Sequence, residues 1–185
     1  MLKRLSLLFA LIPTLAGAVR WQLDPATTIA ADVGWEGSNV VVRFPSFSGV
    51  IDFDEARPQN ARATISVATT AATTGLPVAD QLLRSRDYLD AADYPTMTFR
   101  LGSLRRTSPQ TADIAGEITL RGVTRPISFT AKVVRYGPAK DDPSRFQAGF
   151  DLSGCFDRTA FGSTGGVPDV AAVLPIRIRL LMQSK

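Results

Sequence analysis

Apolar and polar residues alternate along most of this chain, segment after segment. Ile29, Ala31, Val33 and Trp35 share one parity, and Val40, Val42 and Phe44 share another. Phe47, Ile51 and Phe53 follow, with Asp52 and Asp54 on the opposite side. Ala63, Ile65 and Val67 continue the series, then Met97, Phe99 and Leu101, then Ile114, Ile118 and Leu120. Ile127, Phe129, Ala131 and Val133 come next, before Phe146, Ala148, Phe150 and Leu152. The last run puts Leu174, Ile176, Ile178, Leu180 and Met182 on one face and Arg177 and Arg179 on the other. A two-residue period is that of a half-buried strand, because successive side chains of an extended chain point to opposite faces. Turn-forming clusters separate the runs at Glu36 to Asn39, Arg57 to Asn60, Gly122 to Pro126 and Gly137 to Pro143. Roughly eight to ten such strands with short links predict an antiparallel barrel or a sandwich, and the pattern leaves both open. Pro175 cannot donate a ladder hydrogen bond, so a bulge or an unpaired outward position is expected there.

One stretch breaks the rhythm. Val78, Leu82 and Leu83, then Tyr88 and Leu89, recur at helical spacing, and Pro95 stops the pattern. A short helical segment around residues 76–92 is expected, with Asp80, Arg84, Arg86 and Asp87 facing water. Its simplest place is across one mouth of a barrel.

The first residues form a different kind of segment. Lys3 and Arg4 precede an apolar run from Leu5 to Leu15, and Ala16-Gly17-Ala18 is a small-residue cleavage site. That is the layout of an export leader, too short to span a bilayer. The expected organisation is a leader over 1–18 and a single exported domain over 19–185, periplasmic or secreted. No other apolar run is long enough for a membrane helix. Without Lys3 and Arg4, 19 basic residues face 17 acidic ones, and they are scattered, so nucleic acid is not an expected partner.

The chemistry available is thin. There is no histidine and one cysteine, Cys155, which is expected to be a small buried apolar residue. Ser153-Gly154-Cys155 has no histidine to activate a nucleophile. Asp87, Asp90 and Asp93 could line one helical face, but such a row more often forms a solvated rim than a metal site. Gly162 to Gly166 lacks the lysine of a phosphate loop and reads as a flexible loop at a barrel mouth. No cofactor, metal or catalytic residue is assigned, and the chain does not read as an enzyme. What stands out is inward aromatic content: Phe44, Phe47, Phe53, Phe99, Phe129, Phe146 and Phe150 all fall on inward parities.

Several ordered motifs carry a resemblance to a known family. Trp21-Gln22-Leu23-Asp24-Pro25 opens it, and Phe47-Ser48-Gly49-Val50-Ile51-Asp52-Phe53 follows. Thr74-Gly75 precedes Asp80 to Asp90, and Tyr94-Pro95-Thr96-Met97-Thr98-Phe99 comes after. Ala115 to Pro126 and Asp157-Arg158-Thr159-Ala160-Phe161-Gly162 complete the set. In these motifs the chain resembles the YceI-like, polyisoprenoid-binding periplasmic proteins. The resemblance implies an eight-stranded antiparallel lipocalin-like barrel, often a homodimer, holding a long isoprenoid, quinone-like or fatty amphiphile. Strand parity and this resemblance together predict a ligand tunnel lined by Phe44, Ile51, Phe53, Ile65, Met97, Phe99, Ile118, Phe129 and Phe150, with Tyr88 and Leu89 near one mouth. The family usually has histidines near Thr27 or Thr28 and at Leu82, an Arg-Asp pair where this chain has Ala79-Asp80, and often an acidic residue at Ala160. The alternatives are a structural or stress-related secreted barrel with no ligand and, less favoured, a lipid-modifying enzyme.

Overall fold

A computed structural model describes residues 19–140 and 142–184. The leader expectation therefore lies outside the described residues. The strands are β1 (Val19–Leu23), β2 (Thr28–Trp35), β3 (Ser38–Arg43), β4 (Phe47–Phe53), β5 (Arg62–Ala68), β6 (Thr96–Ser108), β7 (Thr111–Leu120), β8 (Val123–Pro138), β9 (Phe146–Asp157) and β10 (Val173–Ser184). One α-helix, α1 (Pro77–Arg84), sits between β5 and β6. Every pairing between strands is antiparallel, and β1 pairs with β10 to close the sheet.

These ten strands make an eight-stranded closed barrel because two of its strands are interrupted. β1 and β2 follow one another along the same edge of β10: Leu23 pairs with Met182, and Thr28 with Arg179. Between them the chain bulges at Asp24 to Thr27. There the Thr27 hydroxyl donates to the Leu181 carbonyl and accepts from the Leu181 N–H, both at 3.0 Å, standing in for the missing backbone partner. β3 and β4 are likewise one line, broken at Pro45, which has no N–H to donate.

Local sequence sets the turns. Glu36 and Gly37 have φ of 46° and 78°, and Arg121 and Gly122 have 52° and 73°. Both pairs link strands through two residues, with Trp35 opposite Ser38 and Leu120 opposite Val123. Two successive positive φ values give the turn whose twist matches that of a hairpin, and glycine adopts the second at no steric cost. Register shifts between Leu101 and Ser103 and between Val133 and Arg135 reverse the parity. Leu104 and Arg106 thereby join Leu101 on the inner face, and Tyr136 reaches Trp21 at 6.2 Å between rings.

Three expectations change. The helix stops at Arg84, and the rest of the predicted helical segment is turns up to Pro95. Cys155 is exposed rather than buried, because it has the outward parity of β9 opposite Pro175. Phe146 lies past the wall, 39% exposed, stacked on Tyr136 at the end of the β8–β9 hairpin. Pro175 takes the second of its two expected forms: without a bulge it keeps the β9 register and points outward, unpaired on its other side, where pairing with β2 begins one residue later at Ile176.

Candidate functional site

In an up-and-down barrel alternate links fall at the same end. The β2–β3 turn, the α1 segment, the β7–β8 turn and the β9–β10 loop therefore share one end. The β4–β5, β6–β7 and β8–β9 links share the other.

Between the two ends the barrel is hollow. A cavity of about 760 Å³ runs along its inside, lined almost wholly by the apolar residues of the inward parity. All of the predicted tunnel residues line it: Phe44, Ile51, Phe53, Ile65, Met97, Phe99, Ile118, Phe129 and Phe150 from the strands, and Tyr88 and Leu89 beside one mouth. Pattern alone could not separate a filled interior from a hollow one, and the positions of two phenylalanines show how the space is kept. The Phe99 ring lies over Gly116, where a β-carbon would sit 2.6 Å from its Cε2. The Phe129 ring lies over Gly154, where a β-carbon would sit 2.7 Å from its Cδ1. The rings meet edge to face at 5.8 Å. Glycine in the neighbouring strand lets each ring lie flat on the wall instead of projecting across the lumen.

The end at the start of β1 is narrowed by aromatic packing on its β1, β8 and β9 side, while the cavity reaches the exposed Arg106 and Pro109 on the other side. Trp21 is buried against Phe53 and Tyr136, with ring centroids 6.4 and 6.2 Å apart, and Phe53 meets Phe150 edge-on at 6.0 Å. The Trp21 indole N–H donates to the Phe53 carbonyl at 3.0 Å. Burial raises the Tyr136 phenol above its ordinary pKa, as does the nearby Glu55 carboxylate. Beside these rings, Glu55 and Arg106 edge the cavity as an exposed ion pair at 3.9 Å.

The other end is covered by loops. Of the apolar side chains of α1, Leu83 packs against the core, whereas Val78 is 83% exposed and Leu82 54%. With Trp35 and Leu76 these last two rim the mouth. Asp80, expected in water, is instead the clasp of the helix. Its carboxylate accepts from the Thr73 hydroxyl at 2.6 Å and from the Thr74 hydroxyl at 2.7 Å, and from the Thr74 N–H. These hydrogen bonds, that from Thr73 first, lower its pKa to about 2.

Two arginines hold the remaining loops. Arg121 donates to the carbonyls of Phe161, Arg86 and Tyr88 and lies 3.8 Å from the buried Asp90. Arg158 is buried and donates to the carbonyls of Ala171, Ser163, Gly165 and Val170 at 2.7 to 2.9 Å. Burial works against its charge and lowers its pKa. The glycine-rich loop is thus tethered rather than free, and Gly165 and Gly166 also pack on the Tyr88 ring. Asp90 is committed to Arg121, while Asp87 and Asp93 are exposed. Among the described residues no three acidic, cysteine or histidine groups cluster as a metal site would require. No helix among them is long and apolar enough to cross a membrane.

Sequence reasoning missed Ser163 and Trp35 as cavity residues. It placed Arg158 only within a family motif. Trp35 carried a signal, since it shares the inward parity of β2, whereas nothing local marks a serine in a loop.

A closed antiparallel barrel with a hollow apolar interior, one end narrowed by packed rings and one loop-covered mouth defines a lipocalin-like container. The chain belongs to the YceI-like family, whose domain model matches residues 21–182. It is 37% identical over 112 residues to Protein YceI of Escherichia coli O157:H7, covering 60% of this chain and 56%, a little over half, of that protein. Among solved structures, Burkholderia cenocepacia BcnA superposes with a TM-score of 0.77 at 21% identity, covering 86% of this chain and 98% of that one. A polyisoprenoid binding domain from Saccharophagus degradans, implicated in plant cell wall breakdown, superposes at 0.67 with 16% identity, covering 90% and 99%. Both share the barrel.

Proposed function

We propose that this chain is an exported, periplasmic or secreted binding protein that holds the tail of a long isoprenoid, quinone-like or fatty amphiphile in its barrel, without catalysing a reaction. The observation that carries this reading is the continuous apolar lumen of about 760 Å³, kept open by rings laid flat over glycines. That volume lies within the range of small-molecule sites, about 300–1,000 Å³. Burying an alkyl chain contributes roughly 0.8 kcal/mol per methylene, so about 20 carbons offer on the order of 16 kcal/mol gross. Ordering the chain offsets much of this, and apolar contact alone still suffices for tight binding. The solved neighbour described as a polyisoprenoid binding domain supports the same ligand class. The charged start, apolar run and Ala-Gly-Ala site support export.

Mass spectrometry of an organic extract of the purified native protein tests the reading, with a co-purified long-chain amphiphile as the expected result. Ala131 and Ile118 both line the lumen, so Ala131→Trp and Ile118→Trp should fill it. Variants that stay folded by circular dichroism should carry less lipid. If both folded variants carry as much as the parent, the ligand is not in the barrel.

A further inference from the structure

The polar groups on the lumen are distributed unevenly. At the narrowed end Glu55 and Arg106 offset each other, and each side chain is 49% exposed. At the loop-covered end three residues that carry donors line the cavity. Arg158, Ser163 and Tyr88 all line the cavity there, and Arg158 and Ser163 are each 4% exposed. The Arg158 Cζ lies 5.6 Å from the centre of the Tyr88 ring, and its Nη1 donates to the Ser163 carbonyl at 2.8 Å.

Each of these groups has something left to give. A guanidinium carries five N–H bonds. In Arg158, Nε serves Ala171, Nη2 serves Gly165 and Val170, and Nη1 serves Ser163, which leaves one Nη1 N–H. Every one of those acceptors is a neutral carbonyl; the adjacent Asp157 carboxylate favours the charge from a distance, but no described carboxylate forms an ion pair with Arg158. Among the described residues neither the Ser163 hydroxyl nor the Tyr88 hydroxyl has a hydrogen-bond partner, although both residues line the lumen. A buried charge without a counter-charge is costly. Asp169 edges the same mouth but is exposed, where water screens it.

We propose that this end of the lumen takes an oxyanionic head group, a carboxylate or phosphate, of the amphiphile whose tail fills the barrel. Its oxygens would accept from Arg158, Ser163 and Tyr88 and supply the missing negative charge. The inference rests on the lumen being the lipid site and adds the chemistry of the head.

Calorimetric titration of the delipidated protein with oleate, oleyl phosphate and oleyl alcohol tests it, since the three share one tail. The parent should bind at least one oxyanionic probe about tenfold or more tighter than the alcohol, as charge-assisted hydrogen bonds imply. Ser163→Ala with Tyr88→Phe removes hydroxyls that hold nothing else in the protein, so the double variant should fold like the parent. It should lose much of the preference for the oxyanion, its affinity for the oxyanionic probe falling several-fold more than its affinity for oleyl alcohol. Equal binding of all three probes by the parent would overturn the head-group inference and leave the lipid reading standing. An undiminished preference in the double variant would place the anion elsewhere and overturn it too. Failure of every probe to bind would remove both.

Discussion

The two ends of the barrel solve opposite problems. The end at β1 is narrowed by bulk: Trp21, Phe53, Phe150 and Tyr136 pack tilted and edge-on against one another, and the cavity passes beside them to the exposed Arg106 and Pro109. Packing of this kind asks for little from polar groups: one indole N–H finds one carbonyl. The other end has to order long loops without filling the space beneath them. It does so with hydrogen bonds from Arg121 and Arg158 to loop carbonyls and with the Asp80 clasp, leaving Trp35, Leu76, Val78 and Leu82 as an exposed apolar rim. Bulk narrows one end, whereas long polar side chains brace the loops of the other.

The largest effect is expected from removing the largest of the packed rings. Trp21→Ala should lower stability by about 3–5 kcal/mol in urea unfolding, the usual loss for a buried large aromatic. A loss below about 1 kcal/mol would show that the packed rings do not hold that end of the barrel together. In the middle, Gly154→Ala should cost about 1–3 kcal/mol as the new methyl meets the Ser128 carbonyl and the Phe129 ring, 2.6 and 2.7 Å from its position. It should also reduce co-purified lipid by pushing that ring into the lumen. Undiminished lipid would mean that the flattened ring does not set the free volume.

At the mouth the effect should be local and dependent on pH. The folded pKa of Asp80, about 2, lies below the unfolded value near 4. Its contribution is therefore complete above the unfolded value and is lost as pH falls towards the folded one. Amide exchange in α1 should accelerate between roughly pH 4 and 2, before the strands lose protection, and Asp80→Asn should abolish that step. Uniform exchange at both ends would break the comparison. The smallest effect is expected at the rim. Val78→Ser should change stability by less than about 0.5 kcal/mol, because the side chain already stands in water.

Much of this was readable along the chain. Parity placed Phe44, Phe99 and Phe129 on one inner surface because a closed sheet turns a single face of every strand inward, whatever its partners. The same rule failed at Phe146, where the strand continues past the wall and the inward parity has no interior to enter. Helical spacing put Val78 and Leu82 on one face correctly, yet a repeat says which residues share a face and not what that face meets. Asp80 looked like a surface charge because its partners, Thr73 and Thr74, lie outside the periodic segment.

Alternation, turn chemistry and the inward phenylalanines were determined by sequence alone, since each depends on residues a few positions apart. Whether the barrel is hollow was decided only in three dimensions. The flattening of Phe99 depends on Gly116 in the neighbouring strand, and that of Phe129 on Gly154, its partner across the sheet. The grouping of Arg158, Ser163 and Tyr88 likewise needs the β9–β10 loop folded against the segment after α1. Such contacts join residues distant in sequence, and no local period encodes them.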